Sequence, residues 1–107
     1  MTELTHGQIT AANRAAWNAS APLHGEGQHW DQLLAQAAQP GFSVLDPILT
    51  AKLSELGLAG KSAVQIGCNN ARELISLASL GIRPELGIDQ ASGFLSQARQ
   101  LARAAGL

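Results

Sequence analysis

In the run Ala63-Val64-Gln65-Ile66-Gly67-Cys68-Asn69-Asn70-Ala71-Arg72, an apolar stretch stops at a glycine and opens into a helix-like segment. A second apolar stretch, Leu86-Gly87-Ile88, ends on a lone carboxylate, Asp89, 22 positions after Gly67. This is the spacing with which a strand-turn-helix-strand unit holds a nucleoside. The tight turn passes under one end of the ligand and the acid meets the ribose hydroxyls. An ionised carboxylate only accepts hydrogen bonds, which suits a vicinal diol. The competing role for Asp89 is to cap the helix that begins near Ala91.

The remaining reactive side chains carry less. Cys68 lies in the turn with no His or Asp nearby in sequence to act as a base. It reads as a small residue lining the ligand. His6, His24 and His29 have no metal-ligand spacing with Cys68, so no metal is expected. Trp17 either closes over a ligand as part of a lid or anchors a helix face. Trp30 reads as core. No catalytic residue stands out.

The elements around the motif fall into two zones. Residues 1–59 read as a helical extension and residues 60–107 as alternating strands and helices. Ile9, Ala12, Ala16, Trp17 and Ala19 form an apolar stripe of a first helix, broken by Ala21-Pro22 and Gly25-Glu26-Gly27. Trp30, Leu33, Leu34 and Ala37 suit a second helix, ended by Pro40-Gly41. Asp46-Pro47 starts a third, with Asp as cap and Pro at the first helical position. Ile48, Leu49, Leu53 and Leu56 would be its buried face, and Gly57 its stop.

In the second zone, Ser62–Ile66 reads as a buried strand. Asn70–Leu80 reads as a helix with Leu74, Ile75, Leu77 and Ala78 inward, closed by Gly81. Arg83-Pro84 is a turn and Glu85–Ile88 a strand. Ala91–Ala105 is a final helix with Phe94, Leu95, Ala98, Leu101, Ala102 and Ala105 on its apolar face. Strands alternating with helices imply parallel pairing. The expected class is α/β: a Rossmann-like β-α-β-α unit after a helical N-terminal lid.

With these residues in place, the chain resembles the start of a class I S-adenosylmethionine-dependent methyltransferase. The resemblance rests on Val64 to Ala71, Gly87-Ile88-Asp89 and Phe94-Leu95-x-x-Ala98-Arg99. Ala15-Ala16-Trp17-Asn18 and Leu58-Ala59-Gly60-Lys61-Ser62 resemble the lid and lead-in of small-molecule members. It implies S-adenosylmethionine as cofactor and a small-molecule methyl acceptor. It also implies an incomplete version of a fold that has seven strands. The implied cofactor-binding residues are Gln65, Gly67, Cys68, Asn69, Asp89 and Gln90, with Trp17 from the lid. Asp89 would meet the ribose and Gln90 would lie near the adenine.

The family signature runs acid-x-Gly-x-Gly-x-Gly, and here those positions hold Gln65, Gly67, Asn69 and Ala71. Asn tolerates left-handed backbone and Ala is small. Gln65 keeps hydrogen-bonding capacity but offers no negative charge. A dinucleotide-dependent oxidoreductase would need glycine at 69 and 72, where Asn69 and Arg72 stand. A third reading is a non-catalytic, truncated or degenerate domain that needs a partner chain.

Composition narrows the partners. Of the 107 residues, 14% are charged and the formal net charge is −1, with no block of either sign. Nothing points to nucleic acid or an anionic membrane. The single cysteine excludes an internal disulfide and fits a reducing compartment. No apolar run approaches the roughly 18 residues of a membrane span. The start, Met1-Thr2-Glu3-Leu4-Thr5-His6, lacks a secretion leader. A cytoplasmic location is expected. Two strands leave both sheet edges unpaired, so self-association or completion by further polypeptide is also expected.

Overall fold

The computed structural model describes residues 3–107; Met1 and Thr2, where the leader reading begins, lie outside the described residues. Helix α1 spans His6–His24. It opens on a capping box: the Gln8 N–H donates to Thr5 Oγ1 at 3.1 Å and the Thr5 N–H to Gln8 Oε1 at 2.7 Å. The expected break at Ala21-Pro22 does not occur, and the helix runs through Pro22 to His24. Tertiary contacts hold that last turn. Ala21 is buried in a cluster with Ala91 and Phe94, and its carbonyl accepts from the Gly25 N–H and from Gln97 Nε2. These contacts offset the ladder bond that proline removes.

The expected stripe of Ile9, Ala12, Ala16, Trp17 and Ala19 is exposed. Only the end of α1, around Asn18 and Ala21, meets the final helix. The preceding turns are solvated.

Helix α2 (Gln28–Ala37) buries Trp30 and Ala37, with Leu33 and Leu34 packed beside them, as its spacing predicts. Helix α3 (Pro47–Glu55) starts as expected, the Leu49 N–H donating to Asp46 Oδ1 at 2.8 Å and Pro47 opening the helix. Its predicted buried face does not form: no α3 residue is buried, and Ile48 is 84% exposed. Its apolar side has no partner layer among the described residues.

Strands β1 (Ser62–Ile66) and β2 (Arg83–Ile88) pair in parallel, with Val64 opposite Leu86, Gln65 opposite Gly87 and Ile66 opposite Ile88. The protein is therefore a mixed α/β chain with a two-stranded parallel sheet. β2 takes in Arg83 and Pro84, which were expected as a turn. An edge strand tolerates a proline near its start.

Between the strands, the single helix expected over Asn70–Leu80 is split into α4 (Arg72–Ser76) and a 3₁₀ turn over Leu77–Leu80. Ala71 stands in left-handed conformation, so no helix reaches back to Asn70. Leu74 and Ile75 point inward as predicted, but Ala78 is exposed. Helix α5 (Ser92–Ala104) buries Phe94 and Leu101 on the expected face.

The core joins α2, α4 and α5 on one face of the sheet, around Trp30, Leu74, Ile75 and Leu101. The opposite face is bare, contrary to the expectation of buried strands. Val64, Ile66, Leu86 and Ile88 are 57%, 83%, 52% and 47% exposed. The radius of gyration is 15.8 Å, against roughly 13 Å for a compact chain of this length. No helix is long and apolar enough to cross a membrane among the described residues.

Candidate functional site

The carboxyl ends of β1 and β2 lie side by side, the position at which open α/β sheets receive ligands. There the Gly67 and Cys68 N–H groups both donate to the Ile88 carbonyl, at 2.7 and 3.0 Å. This pins the start of the turn to the end of β2. The backbone then passes through positive φ at every second residue: 71° at Gly67, 55° at Asn69 and 64° at Ala71. These are the three positions that hold glycine in the signature. Two of them here carry side chains in a conformation that costs L-residues about 1–2 kcal/mol. The turn keeps a glycine geometry with one glycine of three.

Asp89 completes the turn from below. Its Oδ2 accepts from the Asn69 N–H and its Oδ1 from the Ala91 N–H, each at 2.8 Å. A carboxylate has about four lone-pair sites, so each oxygen keeps one for a hydroxyl. Asp89 thus also holds the residue before α5, as its capping reading expects, and Asn18 Oδ1, from α1, accepts from the Gly93 N–H in the first turn at 3.1 Å. Asn69 Oδ1 accepts from the Asn70 N–H, and Asn70 Oδ1 from the Arg72 N–H, which hold the loop into α4.

A cleft of about 490 Å³ opens over these strand ends. It brings together five of the seven residues singled out from the sequence: Trp17, Gly67, Asn69, Asp89 and Gln90. A Cβ built on Gly67 meets no atom within 4 Å, so the glycine leaves open room in the cradle. Trp17 is 52% exposed and sits edge-on to Phe94, with ring centroids 6.2 Å apart. Gln65 lies in an adjoining recess of about 320 Å³. Its Oε1 is buried and has no hydrogen-bond partner among the described residues.

Cys68 departs from expectation. Its side chain is turned into the core, 1% exposed, beneath Gly87, where an added Cβ would meet Sγ at 2.9 Å. Burial pushes the thiol above its ordinary value of 9.0, and the negative charges of Asp89 and Glu73 add to the rise. Sγ packs in the core and donates to the Asn69 carbonyl at 3.6 Å, while the Cys68 N–H ties the turn to β2. Arg72 stands where a dinucleotide site would need glycine. It is exposed and paired with Glu73 at 3.1 Å, so its bulk meets no strand.

Three contributors escape sequence reasoning. Phe94 reads as helix core, yet it also walls the cleft. Asn18 and His24 are more than 40 residues from the turn, with no local signal linking them to it. Among the described residues no group of three or more His, Cys, Asp or Glu could hold a metal. Compared with known proteins, the chain matches no family model, no curated protein and no solved structure.

Proposed function

We propose that the cleft at the strand ends binds S-adenosylmethionine and that the chain acts in methyl transfer to a small molecule. In this reading its sheet and helices are the opening β-α-β-α unit of a Rossmann-like methyltransferase domain. The single observation that carries the proposal is the positive φ at Gly67, Asn69 and Ala71. A turn that keeps three left-handed residues at alternate positions, Ala71 among them against side-chain preference, is shaped by what passes over it. A dinucleotide turn would hold glycine at 69 and 72, where Asn69 and Arg72 stand.

The residues fit the group. The free lone pairs on Asp89 suit the ribose hydroxyls, and Gly67 leaves the backbone open to close approach. The unpartnered Gln65 Oε1 supplies an acceptor for an ammonium group. Trp17 and Phe94 offer apolar ring surface beside Gln90. When bound, the cofactor supplies an electrophilic methyl group. The chain supplies orientation and exclusion of water, the main sources of rate for an in-line displacement.

Calorimetric titration with S-adenosylmethionine and with S-adenosylhomocysteine tests this. Saturable binding of both is expected; folded protein that takes up neither overturns the reading. The bare face of Val64, Ile66, Leu86 and Ile88 favours a second reading, a non-catalytic domain that pairs with another polypeptide. That reading takes the lead if neither compound binds.

A further inference from the structure

The cleft does not end at the turn. It shares Trp17, Gly67, Asn69 and Phe94 with the recess that holds Gln65. The recess in turn shares His24, Asn70 and Arg72 with an outer cavity of about 780 Å³ between the α1–α2 loop and the start of α4. One groove therefore runs from Asp89, past the unpartnered Gln65 Oε1, to this outer cavity. His24 stands where recess and cavity join. Its ring lies 5.8 Å from that of Phe94.

Resting on the methyltransferase reading, we propose that the outer cavity receives the methyl acceptor and that His24 marks its boundary with the cofactor. If Asp89 holds the ribose, the methionyl end of the cofactor extends toward Gln65, and the reacting centre faces His24. The cavity wall supplies hydrogen-bonding side chains, His29, Gln32, Gln36 and Asn70, beside apolar Trp30. Charges of both signs, Glu26 and Arg72, border it. This lining suits a small polar molecule with a protonated oxygen or nitrogen nucleophile, and does not suit a polyanion.

In transfer to such a nucleophile, its lone pair forms the new bond to carbon and the pair of the broken carbon–sulfur bond stays on sulfur. The proton released from the nucleophile needs an acceptor, and His24, which lines both the recess and the outer cavity, stands there to take it. Glu73, the acid that lines the recess, is engaged by Arg72.

The test is a histidine footprint of the whole chain with diethyl pyrocarbonate, read by mass spectrometry at His6, His24 and His29, all exposed. S-adenosylhomocysteine is the probe, with its binding measured separately by calorimetry. At ten times its Kd, modification of His24 slows about tenfold, the factor set by occupancy. His29, in the outer cavity alone, and His6, remote from it, react at unchanged rates. If the probe binds but His24 stays fully reactive, the groove does not place His24 at the cofactor and the proposal fails. If His29 is protected equally, the cofactor fills the outer cavity and no acceptor site remains. If the probe does not bind at all, the methyltransferase reading falls, and this proposal with it.

Discussion

Asp89 Oδ2 accepts the Asn69 backbone N–H at 2.8 Å, joining the acid at the end of β2 to the middle of the turn after β1. The same carboxylate that would meet a ribose also holds the left-handed Asn69 in place. In the proposed site, one side chain would therefore serve both stability and ligand affinity.

Asp89→Ala is consequently expected to do two things. It leaves the Asn69 and Ala91 N–H groups without their acceptor, which costs about 1–3 kcal/mol of stability. It also weakens S-adenosylmethionine binding about ten- to hundredfold, the loss expected for charged hydrogen bonds. Asp89→Asn keeps the side chain's size and one acceptor oxygen, so it recovers part of the stability but less of the affinity. Thermal melts and calorimetry on both variants separate the two effects. Full affinity in a folded Asp89→Ala protein would show that Asp89 only braces the turn.

Backbone strain at the turn should be reversible by mutation. Ala71→Gly and Asn69→Gly relieve left-handed conformations at φ 64° and 55°. Each is expected to be neutral or to stabilise by up to about 1 kcal/mol, after the entropic cost of glycine is subtracted. Gly67→Val acts in the opposite direction, because a β-branched residue at φ 71° is strained. Its side chain also projects into the open cradle, so loss of cofactor binding is expected. Denaturant unfolding and titration of the three variants check this ordering.

The buried Cys68 thiol sets a pH dependence. Its folded value is raised, so the neutral thiol is favoured in the native state. That contribution is fully present below the ordinary value of 9.0 and is lost as pH rises above it. Stability should fall on the alkaline side of this point, and Cys68→Ala should flatten the fall while removing some packing. Iodoacetamide should label the native thiol slowly at neutral pH and the unfolded chain readily.

The bare sheet face should drive association. Ile66→Lys places a charge in the centre of the Val64, Ile66, Leu86, Ile88 surface. It should shift the chain toward monomer in sedimentation equilibrium, relative to a parent whose apparent mass rises with concentration. A parent that is monodisperse and monomeric, with a cooperative melt, would remove the case for a missing layer over this face.

Asn18→Ala should detach the lid. It orphans the Gly93 N–H at the start of α5, a loss of about 1 kcal/mol typical of a helix cap. Trp17, one residue away, should become more mobile, which a drop in its fluorescence anisotropy would report. Asn18→Asp, which keeps the acceptor, should restore both.

The sequence by itself determined what depends on neighbours in the chain. The alternation of Ser62–Ile66, α4 and β2 follows from residue type and period. The Asp46-Pro47 start of α3 and the apolar face of α5 follow from local capping and helical spacing. The distance from Gly67 to Asp89 placed a turn and an acid at adjacent strand ends, because consecutive parallel strands must end together. Tertiary structure alone decided which apolar faces find partners. The stripes of α1 and α3 are less sharply one-sided than that of α5 and none of the stripe residues is buried, since burial needs a second surface and periodicity does not supply one. It also decided that Cys68 faces the core, that Asn18 bonds the first turn of a helix begun more than 70 residues later, and that His24 lies where the recess meets the outer cavity. Each of these is set by packing between distant segments, which leaves no trace in local spacing.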